Sequence, residues 1–397
     1  MTNLKHPRVR LKPGAHKRLR TGHPWVYSNE VQMDAGAKTL PPGTVVTLED
    51  AGGAPLATAH FNPKPLISAR LLDARPDAVI DADWFASRLQ AARDLRERLI
   101  GRPYYRWVHA EGDGLPGLIV DRIDDVAVVQ PNTAGMDAAL PAIATAIEGV
   151  MQARVIVMRG DSAFRALEGL GEVTRVVKGE LSGPIAVKEA TATFFADVLG
   201  GQKTGWFFDQ RDNRAFVASL AKGKSVIDLY THTGGFAVSC AVAGAKSAHG
   251  VDGSGLALEL AQKAAAENKV GSVCAFTRAD VFEFLAAATQ RKEKFDIVVA
   301  DPPAFVKSRK DLKPGLQGYR KLARQCAAIT APQGIFFIAS CSHNAPLIEF
   351  TEAVSRGITD AGRTGRLLKT SGAGPDHPVH LQLPEGTYLK ALTFALD

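Results

Sequence analysis

The sequence predicts an α/β fold: a doubly wound, Rossmann-like C-terminal domain, preceded by a small β-barrel and a middle α+β domain. Three observations predict it. From about residue 201, short apolar strands alternate with helices. Residues 1–73 hold short β-branched and aliphatic runs cut by Gly and Pro. Residues 74–200 combine one long amphipathic helix with turn-rich strands.

In the first segment, TVVTLED and LISARLL read as strands, and KPG, GHP, PPG, AGG and NPKP punctuate them. The first twenty residues carry Lys5, Arg8, Arg10, Lys12, Lys17, Arg18 and Arg20 and no acid. These seven cations equal the whole net charge of +7, so the remaining 377 residues balance to zero. A local basic block points to an anionic partner such as RNA, and a solvated arm is the alternative. Trp25 and Tyr27 in GHPWVYS suit either base stacking or a barrel core.

In the middle segment, Phe85, Leu89, Ala92, Leu95 and Leu99 recur at three- and four-residue steps, which predicts a helix. Asp81 or Asp83 can cap its start and Gly101 ends it. EGDGLPGLIVDRIDDVAVVQ then reads as two strands with Asp124–Asp125 at the turn, and RVIVMRG and RVVKGEL as further strands.

In the last segment, 201–397, the strands are SVIDLY, SAHGVD, CAFTRAD, FDIVVAD and GIFFIAS. GGFAVSCAVAG, GLALELAQKAAAENK, VFEFLAAATQ and YRKLARQCAAIT are the helices between them. Such alternation implies a parallel sheet whose ligands sit at the carboxyl ends of its strands.

Composition narrows the function classes. Hydrophobic residues at 46% and charged residues at 22% are ordinary for a globular protein. No apolar run approaches the ~18 residues of a membrane span, and the N-terminus lacks the apolar core of a secretory signal. Cys240, Cys274, Cys326 and Cys341 are scattered without metal-ligand spacing. That pattern argues for a reducing, cytoplasmic setting with no disulfide framework and no zinc.

The strand ends carry acids. Asp228 is followed by Gly234 and Gly235, which permit a tight turn and close approach of a ligand. Asp252 can accept both ribose hydroxyls of a nucleoside, Asp280 can bind an adenine amino group, and Asp301 opens Asp301-Pro302-Pro303. Each alone reads equally as a polar strand end or helix cap; four along one edge point to a nucleoside cofactor. The loop DLYTHTGGF lacks the GxGxxG of a dinucleotide site, and no GxxxxGK[ST] is present. A nucleoside without phosphates remains, and S-adenosylmethionine fits.

With Asp228–Gly235, Asp252, Asp280 and DPPAF in these positions, residues 200–397 resemble class I methyltransferases. GGQKTGWFFDQRDNR further resembles the segment before the first strand in the bacterial family of PUA-domain 23S rRNA cytosine-5 methyltransferases. That family's plan of PUA barrel, middle domain and methyltransferase matches the three segments. The resemblance is strongest over 200–345; over 1–73 it rests on strand-rich basic composition and KPGAHKRLRTGHPWVYSNE. It implies that Asp228, Tyr230, Gly234, Gly235, Asp252 and Asp280 line the cofactor site, with Asp209 and Arg211 beside it.

Cys341 ends the apolar strand FFIAS, and by position alone it reads equally as a core residue or a nucleophile. The chemistry gives it a use: a thiolate adding to carbon 6 of cytosine activates carbon 5 for methylation. Asp301 would hold the cytosine edge and protonate the ring nitrogen. The resemblance favours this role for both. Many RNA cytosine-5 methyltransferases carry a second cysteine after the proline pair; here Ala304 follows Pro303, which leaves the proton-removing base unassigned. Substrate contacts are expected from Pro302, Pro303 and Phe305, from Lys307 and Arg309 in the basic loop after them, and from Lys12, Lys17, Arg18 and Arg20. The expected partner is RNA, 23S rRNA by the resemblance, with no membrane or metal; the sequence leaves the oligomeric state open, a homodimer included. DPPAF also resembles the (D/N)PP(Y/F) motif of enzymes that methylate exocyclic amines, so an amine or guanine methyltransferase is the rival enzyme. A non-catalytic RNA-binding or ribosome assembly factor is the rival from another class.

Overall fold

The computed structural model describes residues 5–201 and 204–397. The chain forms two compact units. The first comprises Met1–Gly183, Val198–Gly205 and Pro375–Pro384, and the second Pro184–Asp197, Trp206–Gly374 and Glu385–Asp397.

In the first unit, β1 (Arg8–Arg10), β2 (Trp25–Tyr27), β3 (Thr44–Glu49), β4 (Pro55–Phe61) and β5 (Ile67–Asp73) form a sheet in the order β1-β3-β4-β5-β2. Residues two apart share a face of a strand, so Val46 with Leu48 and Ala59 with Phe61 fill one core with Val9, Leu11 and Val26. The helix Ala82–Ile100 begins at Asp81, whose side chain accepts from Trp84 N, and ends at Gly101 with φ 70°. Its buried face is Trp84, Phe85, Leu89, Ala92 and Arg96. The expected stripe therefore holds to Ala92 and then departs: Leu99 is exposed and Arg96 is fully buried. Arg96 is held there by a bidentate pair with Asp113 (2.5 and 2.7 Å) and by the carbonyls of Arg106 and Asp376. A second sheet runs β10-β9-β8-β7-β6, from β6 (Tyr104–His109), β7 (Leu118–Ile123), β8 (Val126–Pro131), β9 (Val155–Gly160) and β10 (Val173–Lys178). Asp124, with φ 57°, makes the turn between β7 and β8.

The second unit opens with a hairpin, β11 (Ile185–Glu189) and β12 (Ala192–Ala196). Its main sheet holds β13 (Ser225–Leu229), β14 (Ser247–Asp252), β15 (Cys274–Arg278), β16 (Phe295–Ala300), β17 (Thr330–Ser340), β18 (Gly365–Ser371) and β19 (Lys390–Leu396) in the order β15-β14-β13-β16-β17-β19-β18. The five strands expected from the sequence are parallel to one another. The sheet as a whole is mixed, because β19 pairs antiparallel with β17 and β18 with β19. Side chains alternate between two cores. Ile227, Leu229, Val298, Ala300, Phe336 and Ile338 face Tyr319, Leu322, Cys326 and Phe350. Val226, Ile297, Val299, Phe337 and Ala339 face Val217, Phe236 and Cys240. Each buried Val, Leu, Ile or Phe among them contributes about 1.5–3 kcal/mol. Burial on both faces explains the near-continuous apolar runs of these strands. It leaves their carboxyl ends as the place where polar side chains can emerge.

Candidate active site

Beyond β13 the backbone runs through Tyr230 (φ 62°), His232 (φ 50°) and Gly234 (φ 83°). Left-handed backbone at non-glycine residues costs on the order of 1–3 kcal/mol each and must be held by its surroundings. Here the buried Asp228 holds it: Oδ2 accepts from Thr231 Oγ1 (2.6 Å) and Ala237 N (2.9 Å). Asp252 Oδ2 accepts from His232 N (2.9 Å), and its Oδ1 from Ser254 N (2.8 Å). Gly235 begins the helix Gly235–Val242, and a Cβ at Gly234 would stand 3.0 Å from Ala261 Cβ. Burial pushes the Asp228 carboxyl up to about 7, against the pull of Thr231 and Ala237. Its Oδ1 has no hydrogen-bond partner among the described residues.

Asp280 is exposed at the end of β15 and caps the helix Val281–Gln290, Oδ1 accepting from Phe282 N and Glu283 N. Tyr230 is half-buried, and burial raises its phenol above the ordinary range. Asp209 is buried and accepts from Tyr388 Oη (2.5 Å), while Arg211 lies over the Phe208 ring at 5.4 Å.

Sequence reasoning missed the cation beneath this loop, Arg214. It is buried, doubly bonded to Glu189 (2.6 Å each), and it donates to Phe207 O (2.9 Å). Burial alone would lower its pKa, but Glu189, Asp209 and Asp301 raise it overall. A Cβ at Gly235 would stand 3.2 Å from Arg214 Cδ, so the buried arginine would have to give way by a few tenths of an ångström. The residue sits inside GGQKTGWFFDQRDNR, so the motif pointed at it; its partner on β11 carries no sequence signal.

The loop after β16 is tied to β13 by Asp301 N donating to Leu229 O (3.3 Å). Asp301, Ala304 and Phe305 are half-buried, Pro302 is buried, and Pro303, Lys307 and Arg309 are exposed. The Phe305 ring packs on Tyr319 at 4.7 Å. At the end of β17, Cys341 is half-buried against the second core, and the two serines around it are fully buried. Both serines bond Tyr319 Oη, Ser340 at 2.8 Å and Ser342 at 2.9 Å. Ser342 Oγ also accepts from Val306 N (3.2 Å), and Asn344 Nδ2 donates to Lys307 O (3.1 Å). The serines thus fasten the Cys341 loop to the loop that begins at Asp301. Cys341 packs against the second core, whereas Ser340 and Ser342 bond Tyr319, which belongs to the first.

The structure brings Asp209, Arg211, Asp228, Tyr230, Gly234, Gly235, Asp252, Asp280, Asp301 and Cys341 into the second unit. Lys12, Lys17, Arg18 and Arg20 belong to the first. Lys12, Lys17 and Arg20 are exposed there, whereas Arg18 donates to Glu30 (2.6 Å) and lies over Tyr27. Along the sheet edge stand four carboxyl side chains, Asp228, Asp252, Asp280 and Asp301. A carboxylate with one bond per oxygen, as at Asp252, keeps lone pairs for hydroxyls. This set suits a hydroxyl-rich, cationic nucleoside and repels a pyrophosphate, so S-adenosylmethionine fits the residues present.

Comparison with known proteins agrees. The PUA-like domain family matches residues 9–74. The S-adenosylmethionine-dependent methyltransferase family matches residues 150–357. Ribosomal RNA large subunit methyltransferase I of Pseudoalteromonas atlantica is 34% identical over 97% of this chain and 98% of that protein. The protein of that name from Cronobacter sakazakii is 35% identical over 96% of this chain and 98% of its own. A solved chain from Streptococcus mutans, described as a SAM-dependent methyltransferase, has a TM-score of 0.81 at 21% identity over 98% of this chain and 100% of that one. At that identity the likeness shows the fold. Taken with relatives aligned along nearly its whole length, the acid-lined sheet edge and the PUA-like segment show that the chain belongs to the S-adenosylmethionine-dependent methyltransferase family.

Proposed function

We propose that this chain makes 5-methylcytosine in large-subunit (23S) ribosomal RNA, in the cytoplasm, with Cys341 as the nucleophile. The observation that carries this reading is the setting of Cys341 beside the other three cysteines. Cys240 and Cys326 are buried in the two cores, and burial drives both thiols far above their ordinary range. Cys274 opens β15 at the amino edge of the sheet, its thiol raised by burial to about 11. Cys341 alone of the four stands at the carboxyl edge, on a loop bonded to the Asp301 loop.

In this reading Asp228 fixes the glycine loop and Asp252 accepts ribose hydroxyls. Tyr230, Gly234, Gly235 and Asp280 line the same cleft, Asp280 through its second carboxylate oxygen. Asp209 and Arg211 close it beside Tyr388. When bound, S-adenosylmethionine supplies the electrophilic methyl group taken up by carbon 5 of the base. The Cys341 thiolate adds to carbon 6 of a cytosine turned out of its stack. Asp301 holds the base edge and gives a proton to the ring nitrogen. Once carbon 5 carries the methyl group, its proton passes to a base, the sulfur–carbon 6 bond breaks to restore the thiolate, and the ring nitrogen returns its proton to Asp301. Lys307 and Arg309, with the exposed Lys12, Lys17 and Arg20, contact phosphates. Pro302 and Pro303 shape the base pocket.

In the rival reading, an exocyclic-amine methyltransferase, Phe305 would stack on the base with the part of its ring not packed on Tyr319. The test is to incubate the wild type and Cys341→Ser with unmodified 23S rRNA and labelled S-adenosylmethionine, and to identify the product nucleoside by mass spectrometry. The wild type is expected to yield 5-methylcytosine and the variant none. A methylated amine, or a fully active variant, would overturn the reading. Asp301→Ala should also lose activity while still binding the cofactor.

A further inference from the structure

Lys390 is the first residue of β19 and pairs with Ser340 across the antiparallel ladder. It is 8% exposed. Its Nζ donates to Ser342 O (2.7 Å) and Ala345 O (2.8 Å), so two of its three N–H groups end on the turn that follows Cys341. A buried ammonium is expensive unless it is paired and hydrogen-bonded. Lys390 has the hydrogen bonds, yet it makes no ion pair among the described residues. Arg214, the other buried cation of this unit considered above, is committed to Glu189 and faces Asp209 and Asp301. Burial lowers the Lys390 pKa overall, and the Cys341 sulfur in its charged form offsets part of that lowering. Such coupling is reciprocal: a thiolate that favours the ammonium is favoured by it.

The other titratable groups around this end of β17 lie on a packed helix and on the neighbouring loops. Tyr319, on the helix Leu312–Ile329, is held neutral by burial and bonds the two serines. His343 packs on Tyr388 at 5.3 Å, and Tyr388 donates to Asp209. Asp301 lies across the Val306–Ser342 hydrogen bond, on the neighbouring loop.

We propose that Lys390 is a positioning residue for Cys341: its ammonium fixes the turn that carries the thiol and supplies a positive charge against which the thiolate forms. This rests on the nucleophile reading above. A buried cation without a carboxylate is the arrangement expected where the anion appears only when a thiol ionises.

The experiment follows alkylation of Cys341 by iodoacetamide in the full-length chain as a function of pH, by peptide mass spectrometry. It compares the wild type, Lys390→Arg and Lys390→Gln. Arginine keeps the charge; glutamine keeps a donor to the carbonyls without the charge. The Gln variant should raise the alkylation midpoint by about one pH unit, a roughly tenfold slower reaction near neutrality, and the Arg variant should stay close to wild type. The kcat for methyl transfer should follow the same order, with KM for S-adenosylmethionine unchanged. Equal midpoints in the wild type and the Gln variant, or equal shifts in Arg and Gln, would overturn the proposal. If Cys341→Ser still makes 5-methylcytosine while the Gln variant shifts the midpoint, the charge coupling stands and the nucleophile reading fails.

Discussion

Asp228 is 1% exposed, and a carboxyl so placed pays for ionisation in lost hydration. Its folded pKa of about 7 lies above the ordinary value of 3.8. The folded chain therefore binds more protons than the unfolded chain between those values, and stability conferred by the neutral carboxyl falls as pH rises through that window. Asp228→Asn keeps an acceptor for Thr231 and Ala237 and never ionises. The cofactor-free variant should gain on the wild type as pH rises from about 5 to about 8, by a few kcal/mol at most. Thermal unfolding at the two pH values checks this, and parallel curves would refute it. The sequence marked Asp228 as a cofactor-site residue, but its hydrogen bonds to Thr231 and Ala237 fasten the loop. Arg214 and Glu189 were not legible at this scale, because no spacing rule joins a helix to a hairpin 25 residues upstream. Lys390 gave no signal for the same reason: its two acceptors lie 48 and 45 residues away.

The helix Leu312–Ile329 carries a second feature that periodicity conceals. Gly315 and Gly318, in KPGLQGYR, stand one turn apart. A Cβ at Gly315 would lie 2.4 Å from Val306 Cγ2 and 2.8 Å from Phe305 O; at Gly318 it would meet only the Phe305 ring, at 3.0 Å. The glycines form a notch that seats the loop after Asp301. In an open helix, Gly→Ala stabilises by roughly 0.5–1 kcal/mol. Here Gly315→Ala should instead destabilise the protein and lower kcat at least tenfold, while cofactor affinity is retained. Gly318→Ala should be mild, because an aromatic ring yields more easily than backbone. Isothermal titration beside steady-state kinetics separates binding from turnover, and a stabilised, fully active Gly315→Ala would sink the argument. The five parallel strands and four helices were legible because strand and helix periods alternate cleanly from 225 to 340. The helix Leu347–Asp360 and strands β18 and β19 were not, since the chain between the two strands departs to the first unit before returning antiparallel. A strand that pairs across such an excursion leaves no βα alternation to read.

For the whole molecule, the excess charge is concentrated in the first twenty residues, but the structure divides those seven cations. Arg8 pairs with Asp77 and Glu49, Arg10 with Glu49 and Arg18 with Glu30. Lys5, Lys12, Lys17 and Arg20 are exposed and make no ion pair among the described residues. Composition cannot make this division, because the acids that neutralise the paired arginines come from positions 30, 49 and 77. Cations that contact phosphate displace the RNA's own counterions, and each such contact steepens the salt dependence by about 0.7 for a single strand and 0.9 for B-form duplex. A Lys12→Gln, Lys17→Gln, Arg20→Gln triple variant should bind a 23S rRNA fragment more weakly, with a salt slope shallower by about two. Arg18→Gln should do the reverse: it breaks the Glu30 pair and the contact over Tyr27, so it should lower the thermal midpoint and leave the slope nearly unchanged. Fluorescence anisotropy between about 50 and about 200 mM salt measures both slopes. If the triple variant keeps the wild-type slope, the block makes no phosphate contact, and the RNA is held by surfaces such as the Lys307–Arg309 loop. If Arg18→Gln flattens the slope as much as the triple variant does, the ion pair opens on binding.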